Sequence, residues 1–487
     1  MGLELVGWLA FAGYRIGESV TTAPSVWQDS EAYRAVADNG WLSSGLWAGA
    51  RAPGTPVFMK LTGAGYVHYS DAEAVIGVLA WGLLAWTVGR TVGGRWRAVV
   101  GSWAVLGFAT APLVAEWDWS ALSESPSLSA LAVLCTLGFL LVRRFTWLRL
   151  AALGVTALAY VLLRDADIWA VAAVGVVLVA TGAIRSLQGV GFSPEGWRAT
   201  LRANLGRVRQ PLLVGATLVV VAAVGGVAAG VAQRDVMNMD NVFYVRVFPS
   251  PDMVAWFSAH GMPEARQIDA LAASTPVGPG VAKLVAPDWN ASTWKPLDLW
   301  MAQRAQTTYG IFLFTHPVYV LRAPFSTPPL TFDNANGQLG FYAPPGRALS
   351  LFQTVFVPGR WVVVALGVLS VIVALGRRLW RERAWCFIAA FAVVGLVTML
   401  IAWHGDAQEV TRHMVEGDVE ARLGVLLSLV FVVLAPTPGR ATGEEAGEEA
   451  GAQRSTPRIN PLVGTPVPAV TTTCSVPSTW LTAVPRT

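Results

Sequence analysis

Residues 116–144 read EWDWSALSESPSLSALAVLCTLGFLLVRR. Glu116, Asp118 and Glu124 stand at the front of this stretch, and Arg143 and Arg144 close it. Between them, 122–142 is apolar apart from Glu124 and small hydroxyl side chains. A helix needs about 20 residues to cross a hydrocarbon layer of about 30 Å. In lipid a backbone must satisfy its own hydrogen bonds, so a run of this kind is a helix. A membrane β-strand would instead alternate over about ten residues, and this stretch does not alternate.

The same pattern recurs along the chain. Apolar runs at 3–14, 73–88, 98–113, 122–142, 147–163, 168–184, 211–231, 361–375, 384–403 and 423–434 predict an all-α polytopic membrane protein with about ten transmembrane helices. The composition agrees: 54% of residues are hydrophobic and 14% charged, against about 25% charged in soluble domains. Mean hydropathy is +0.50. The run at 3–14 is short and carries Glu4. It lacks a basic lead and a small-residue cleavage site, which speaks against a signal peptide; it reads as a weak first helix or a misplaced start.

Charge sets the orientation. Arg90, Arg95 and Arg97 share one short loop, Arg143, Arg144 and Arg149 another, Arg185 to Arg209 a third, and Arg377, Arg378, Arg381 and Arg383 a fourth. Their only acids are Glu195 and Glu382. The alternate loops carry Glu116, Asp118, Asp165, Asp167, Asp406, Glu409, Glu416, Asp418 and Glu420 against Arg164, Arg412 and Arg422. Lys and Arg mark the cytoplasmic side, so both termini are expected in the cytoplasm of a multi-pass plasma-membrane protein, with the acids outside. The net charge of +4 is therefore read as loop arginine. Nucleic-acid binding is not expected, because no basic stripe interleaves with aromatics. The 22 tryptophans suit interfacial belts. Cys135, Cys386 and Cys474 have neither metal nor redox spacing. Much Ala, Val, Gly and Arg with little Lys suits a GC-rich, actinobacterial type of host.

Four regions follow. Residues 1–231 form an N-terminal transmembrane module holding the first extracytoplasmic loop and the catalytic core. Residues 232–360 form a large extracytoplasmic region, in which 298–314 has helical spacing and suits the membrane surface. Residues 361–435 form the C-terminal transmembrane helices. Residues 436–487, rich in Gly and Glu and then in Pro, Thr and Ser, read as a disordered cytoplasmic tail.

The first outer loop holds Asp29 and Tyr33, then Arg51-Ala52-Pro53-Gly54-Thr55-Pro56. A carboxylate at a membrane interface suits proton acceptance from a hydroxyl. A nearby arginine suits a phosphate, because its planar fork bonds two oxygens at once. The same residues also read as ordinary solvated loop. Glu124 begins a helix, where the dipole favours an acid. Arg164, Asp165 and Asp167 read as an ion pair or cap. A zinc site at His404, Asp406 and His413 matches no usual ligand spacing.

These motifs, in this order, resemble the GT-C superfamily of polyprenyl-phosphate-sugar-dependent glycosyltransferases. The resemblance is to the branch of the protein mannosyltransferases and the aminoarabinose transferase of lipid A. It rests on Asp29 and Tyr33 in the first outer loop, the turn at 51–56, Glu116 and Asp118 after the third helix, and Ser123-Glu124-Ser125-Pro126 opening the fourth. Glu409-Val410-Thr411-Arg412-His413 is similar to a charged pair before the last helices, with one more residue inside the pair and His where Tyr is usual. The resemblance covers about the first 185 residues, and the remainder by topology.

It implies an inverting transfer from a polyprenyl-phosphate sugar donor to an envelope glycan, lipid or protein acceptor. Asp29 would be the catalytic base. Tyr33, Arg51, Glu116, Asp118, Glu124, Arg164, Arg412 and His413 would bind substrate. Arg51, Arg164 or Arg412 would stabilise the leaving phosphate, and Glu116 and Asp118 would position the acceptor or join Asp29 on a divalent cation. The rival readings are a transporter or flippase, which would carry ionisable residues inside its spans, and a non-catalytic membrane protein.

Overall fold

The computed structural model describes residues 2–63, 65–187, 196–232, 234–263, 295–326, 347–405, 407 and 410–435. All lie in the first of two compact units, Met1–Pro438. The expected tail lies outside the described residues.

The chain opens with α1 (Gly2–Thr21). Three short helices follow: α2 (Gln28–Ala37), α3 (Ser44–Trp47) and α4 (Gly54–Leu61). Next come α5 (Tyr66–Val92), α6 (Arg95–Thr110), α7 (Pro112–Ala115) and a 3-10 turn, Glu116–Trp119. The long helices α8 (Glu124–Arg143), α9 (Trp147–Leu163), α10 (Asp167–Leu187) and α11 (Gly196–Val231) complete the first half. The second half runs α12 (Arg234–Val242), α13 (Pro251–Ala259), α14 (Lys295–Trp300), α15 (Gln306–Thr315), α16 (Pro317–Ser326), α17 (Arg347–Phe356), α18 (Arg360–Gly376), α19 (Arg383–Gly405), α20 (Val410–His413) and α21 (Val415–Leu434).

Each apolar run falls on one of these helices, except 98–113, which passes from α6 into α7. Four are long and apolar enough to cross a membrane: Tyr66–Val92, Glu124–Arg143, Arg209–Val231 and Arg383–Gly405. The bent pair Arg95–Thr110 and Pro112–Trp119, with 65° between its parts, makes a fifth if it counts as one broken span. Trp147–Leu163, Asp167–Thr181 and Arg360–Gly376 are shorter apolar helices. The described residues are thus all-helical, and by the length and composition of these helices the chain is a multi-pass membrane protein.

Several helices outrun the expected spans, and two of them, α1 and α21, do so on buried polar residues. α1 continues past 14 to Thr21, because its polar residues find partners inside the protein. Arg15 is buried, and Ser19 donates to Asp71 at 2.7 Å. α21 starts at Val415, eight residues before the expected apolar run at 423. Its leading charges are all buried: Arg422 Nε bonds Asp418 at 2.7 Å, and Glu420 accepts from Thr398 at 2.9 Å. Charges satisfied in this way can continue a helix inside the protein.

Small residues bring neighbouring helices together, as in other membrane bundles. α10 crosses α11 at Gly175 and Gly215, where a Cβ on Gly215 would lie 2.7 Å from the Gly175 carbonyl oxygen. α19 packs on α21 in the same way, and a Cβ on Gly417 would lie 2.7 Å from the Gly395 oxygen. The helical spacing read at 298–314 is realised by α14 and α15, joined through a π-helical turn at Met301–Ala305. With α12 and α13 they build a separate aromatic core of Phe243, Phe257, Trp300, Tyr309 and Phe312. His404, at the end of α19, bonds the Val320 carbonyl of α16 at 3.0 Å and meets the Tyr309 hydroxyl of this core at 3.5 Å.

Candidate functional site

The loop before α2 is stitched to the segment before α8. Ser25 N–H donates to the Trp119 carbonyl at 2.7 Å, and Ala121 N–H donates to the Ser25 carbonyl at 3.0 Å. Trp27 N–H donates to the Ser30 hydroxyl at 3.0 Å, closing the entry to α2. This stitch places Asp29, in the first turn of α2, beside Glu124, the first residue of α8.

Asp29 is gripped by two guanidiniums. Arg51, from the turn before α4, bonds Oδ1 at 2.5 Å, and Arg412, from α20, bonds Oδ2 at 2.6 Å. Arg412 Nε also bonds Glu124 Oε1 at 2.6 Å. Arg164 Nη1 lies 3.6 Å from that same oxygen and 3.5 Å from Glu416 Oε1. Arg51, Asp29, Arg412, Glu124, Arg164 and Glu416 therefore form one chain of alternating charge. Its two ends differ in exposure: the Arg51 and Asp29 side chains are 30% and 20% exposed, whereas Glu124 is 0% and Glu416 2% exposed.

The aromatic and imidazole neighbours line this chain. Tyr33 is buried, donates its hydroxyl to Ser123 Oγ at 3.3 Å, and has the Arg51 guanidinium 5.7 Å from its ring centroid. Burial, and then the Glu124 charge, raise the phenol pKa, so Tyr33 stays a neutral hydroxyl. His413 Nδ1 accepts from Arg164 at 3.1 Å. Burial first, and then Arg164 and Arg412, hold the imidazole well below its ordinary range, so His413 is neutral and acts as an acceptor. Burial works against the charge on Arg164, but Glu416 and Glu124 outweigh it and raise its pKa.

Asp118 stands apart from this chain. Arg15 Nε bonds it at 2.6 Å, Arg15 Nη2 bonds its other oxygen, and Ser125 donates to it at 2.7 Å. It braces α1 against the start of α8. Glu116 is 2% exposed, and none of the described residues hydrogen-bonds its carboxyl. A cation shared by Asp29, Glu116 and Asp118 does not fit these residues. Asp118 is already matched by Arg15, and Asp29 faces two guanidiniums that repel a third positive charge. Among the described residues, no three His, Cys, Asp or Glu side chains are grouped to hold a metal.

Of the residues singled out in the sequence, Asp29, Tyr33, Arg51, Glu124, Arg164, Arg412 and His413 come together, while Glu116 and Asp118 do not join them. Asp406 and Glu409 lie outside the described residues. His404 serves the aromatic core instead. Asp165 forms a two-pronged ion pair with Arg234, at 2.7 and 2.9 Å, as its reading as an ion pair expected. Ser127 donates to Asp167 at 3.0 Å. Glu416 was missed as a site residue. Its signal was the i, i+4 spacing of Glu416 and Glu420 ahead of an apolar run, which places both on one helix face.

No family model and no curated protein matches the sequence. Among solved structures, the fold is similar to the archaeal oligosaccharyltransferase AglB from Archaeoglobus fulgidus in complex with an inhibitory peptide and a dolichol-phosphate. The identity is 12% and the TM-score 0.41, over 94% of this chain and 52% of that one. It is also similar to the oligosaccharyltransferase of Archaeoglobus fulgidus in the apo form, at 13% identity and TM-score 0.39, over 93% of this chain and 52% of that one. The chain spans about half the length of each of these structures.

Proposed function

We propose that this chain is a membrane glycosyltransferase that moves a sugar from a polyprenyl-phosphate donor to a hydroxyl of an envelope glycan, lipid or protein on the extracytoplasmic face. One observation carries the reading. Asp29, part-exposed at the mouth of a buried charge chain, is bonded by Arg51, 22 positions away, and by Arg412, 383 positions away. A carboxylate and two guanidiniums are thereby held at one place, which supports reading them as a base and its phosphate-binding partners, in a molecule whose apolar helices keep it in lipid. The arginine asymmetry of the loops supports an external site and cytoplasmic termini, and the order of the sequence motifs supports a GT-C-type enzyme.

In this reading Asp29 takes the proton of the acceptor hydroxyl as its oxygen attacks the anomeric carbon from the side opposite the phosphate, inverting that carbon. Arg51 and Arg412 stabilise the charge that develops on the departing phosphate. Tyr33 supports Arg51 through its ring. Glu124 holds Arg412, and Arg164 with His413 and Glu416 fixes Glu124 in turn. The test is transfer of radiolabelled sugar from a polyprenyl-phosphate donor by the purified protein. Asp29→Ala is expected to lower the rate by about 10²- to 10⁴-fold, the usual worth of a general base. An unchanged rate removes Asp29 from the mechanism.

A second reading has its own observation. Glu73, on α5, a helix long and apolar enough to cross a membrane, is 1% exposed. Ionisable residues buried within membrane helices are where a transporter or flippase would carry them. Substrate uptake into sealed vesicles is the outcome that only this reading predicts.

A further inference from the structure

The alternating chain implies more than a list of ligands. Its six groups, three guanidiniums and three carboxylates, are joined by five ion pairs and balance one another in formal charge. An incoming anion therefore finds no spare cation among them. Any guanidinium it bonds must be shared with, or taken from, an existing carboxylate. Glu124 and Glu416 are sealed inside, at 0% and 2% exposure, whereas Asp29 sits at the mouth at 20%. Arg412 is bonded to Asp29 through one nitrogen and to buried Glu124 through another. Its hold on Glu124 can persist while its hold on Asp29 is lost.

We infer that the donor's phosphate takes Arg51 and Arg412 from Asp29, so that binding the donor and unmasking the base are one event, with Glu124 holding Arg412 in place through the exchange. This rests on the glycosyltransferase reading. The charges balance through the reaction. The bond between the anomeric carbon and the phosphate oxygen breaks, and its electron pair stays on the phosphate. The acceptor oxygen bonds the anomeric carbon, and the acceptor proton passes to Asp29. The phosphate gains one negative charge as Asp29 loses one, so the two guanidiniums, already on the phosphate, meet the charge that develops there. Without donor, both carboxylate oxygens are occupied. Return of the guanidiniums after the proton leaves Asp29 helps expel the polyprenyl phosphate.

The test measures binding of geranylgeranyl phosphate, and separately of inorganic phosphate, to the full chain in nanodiscs, with thermal unfolding followed on the same samples. Asp29→Asn, which removes the competing charge, is expected to bind geranylgeranyl phosphate about tenfold more tightly than wild type while losing transfer. Arg51→Gln is expected to bind it about tenfold more weakly. Glu31→Gln, which removes an exposed carboxylate from the same helix, is expected to leave binding unchanged. Tighter binding of inorganic phosphate as well assigns the effect to the headgroup; tightening confined to the lipid form assigns it to a headgroup delivered from the bilayer. Equal or weaker lipid-phosphate binding by Asp29→Asn overturns the exchange even if wild type transfers sugar. If that variant does not fold, unchanged binding by Arg51→Gln overturns it equally. Absence of both binding and transfer in wild type defeats the exchange together with the function it rests on.

Discussion

Arg15 and Asp118 show what a single residue decides. Each is 1% exposed or less, and each has the other as its ionic partner. Removing one side of such a buried pair costs about 3–5 kcal/mol, because a desolvated charge is left uncompensated. Asp118→Ala is expected to lower the thermal midpoint strongly, while Arg15→Met combined with Asp118→Leu recovers much of the loss; a thermal-shift series in detergent checks both. His413 makes a pH-dependent contribution. Its folded pKa lies well below the unfolded value near 6.5, so below that pH the unfolded chain binds the extra proton. Its stabilising contribution is complete above about pH 6.5 and declines as pH falls below it. The thermal midpoint measured from pH 8 to pH 5 should fall more steeply for wild type than for His413→Asn. Parallel curves would show that His413 is not the group responsible.

At the scale of elements, the site depends on a few residues that hold helices in register. The α19–α21 crossing has room only for a glycine at 417. Gly417→Val is expected to cost about 1–3 kcal/mol by overpacking, and to shift Glu416 and Arg412 with it, so transfer should fall further than the midpoint suggests. The Ser25 stitch is a local device of the same kind. Ser25→Pro removes the N–H that reaches the Trp119 carbonyl and should cut transfer while leaving the main unfolding transition of the bundle nearly in place. The helical runs themselves were readable because apolar length is a local property. The extra turns of α1 and α21 were not, because Arg15, Glu416, Asp418 and Glu420 looked like solvent-facing ends until their partners were known.

For the whole molecule, the orientation is the claim with the widest reach, since it places the charge chain outside the cell. In a chain carrying Cys386→Ser and Cys474→Ser, a membrane-impermeant thiol reagent should label Glu31→Cys in intact cells, and Arg144→Cys only after permeabilisation. The opposite pattern would put the site in the cytoplasm and remove the extracytoplasmic donor. The amino-acid order by itself determined which stretches are helices in lipid and which loops carry the arginine, because both follow from runs of neighbouring residues. It also brought Asp29, Arg51 and Arg412 under suspicion. Only the tertiary structure decided which charges meet. It sent Asp118 to Arg15, drew Glu416 into the site, and joined Arg412 to Glu124 across 288 positions of chain. Inside a low-dielectric bundle a charge must find its counter-charge wherever the packing brings one, and nothing in the residues beside it in sequence records where that will be.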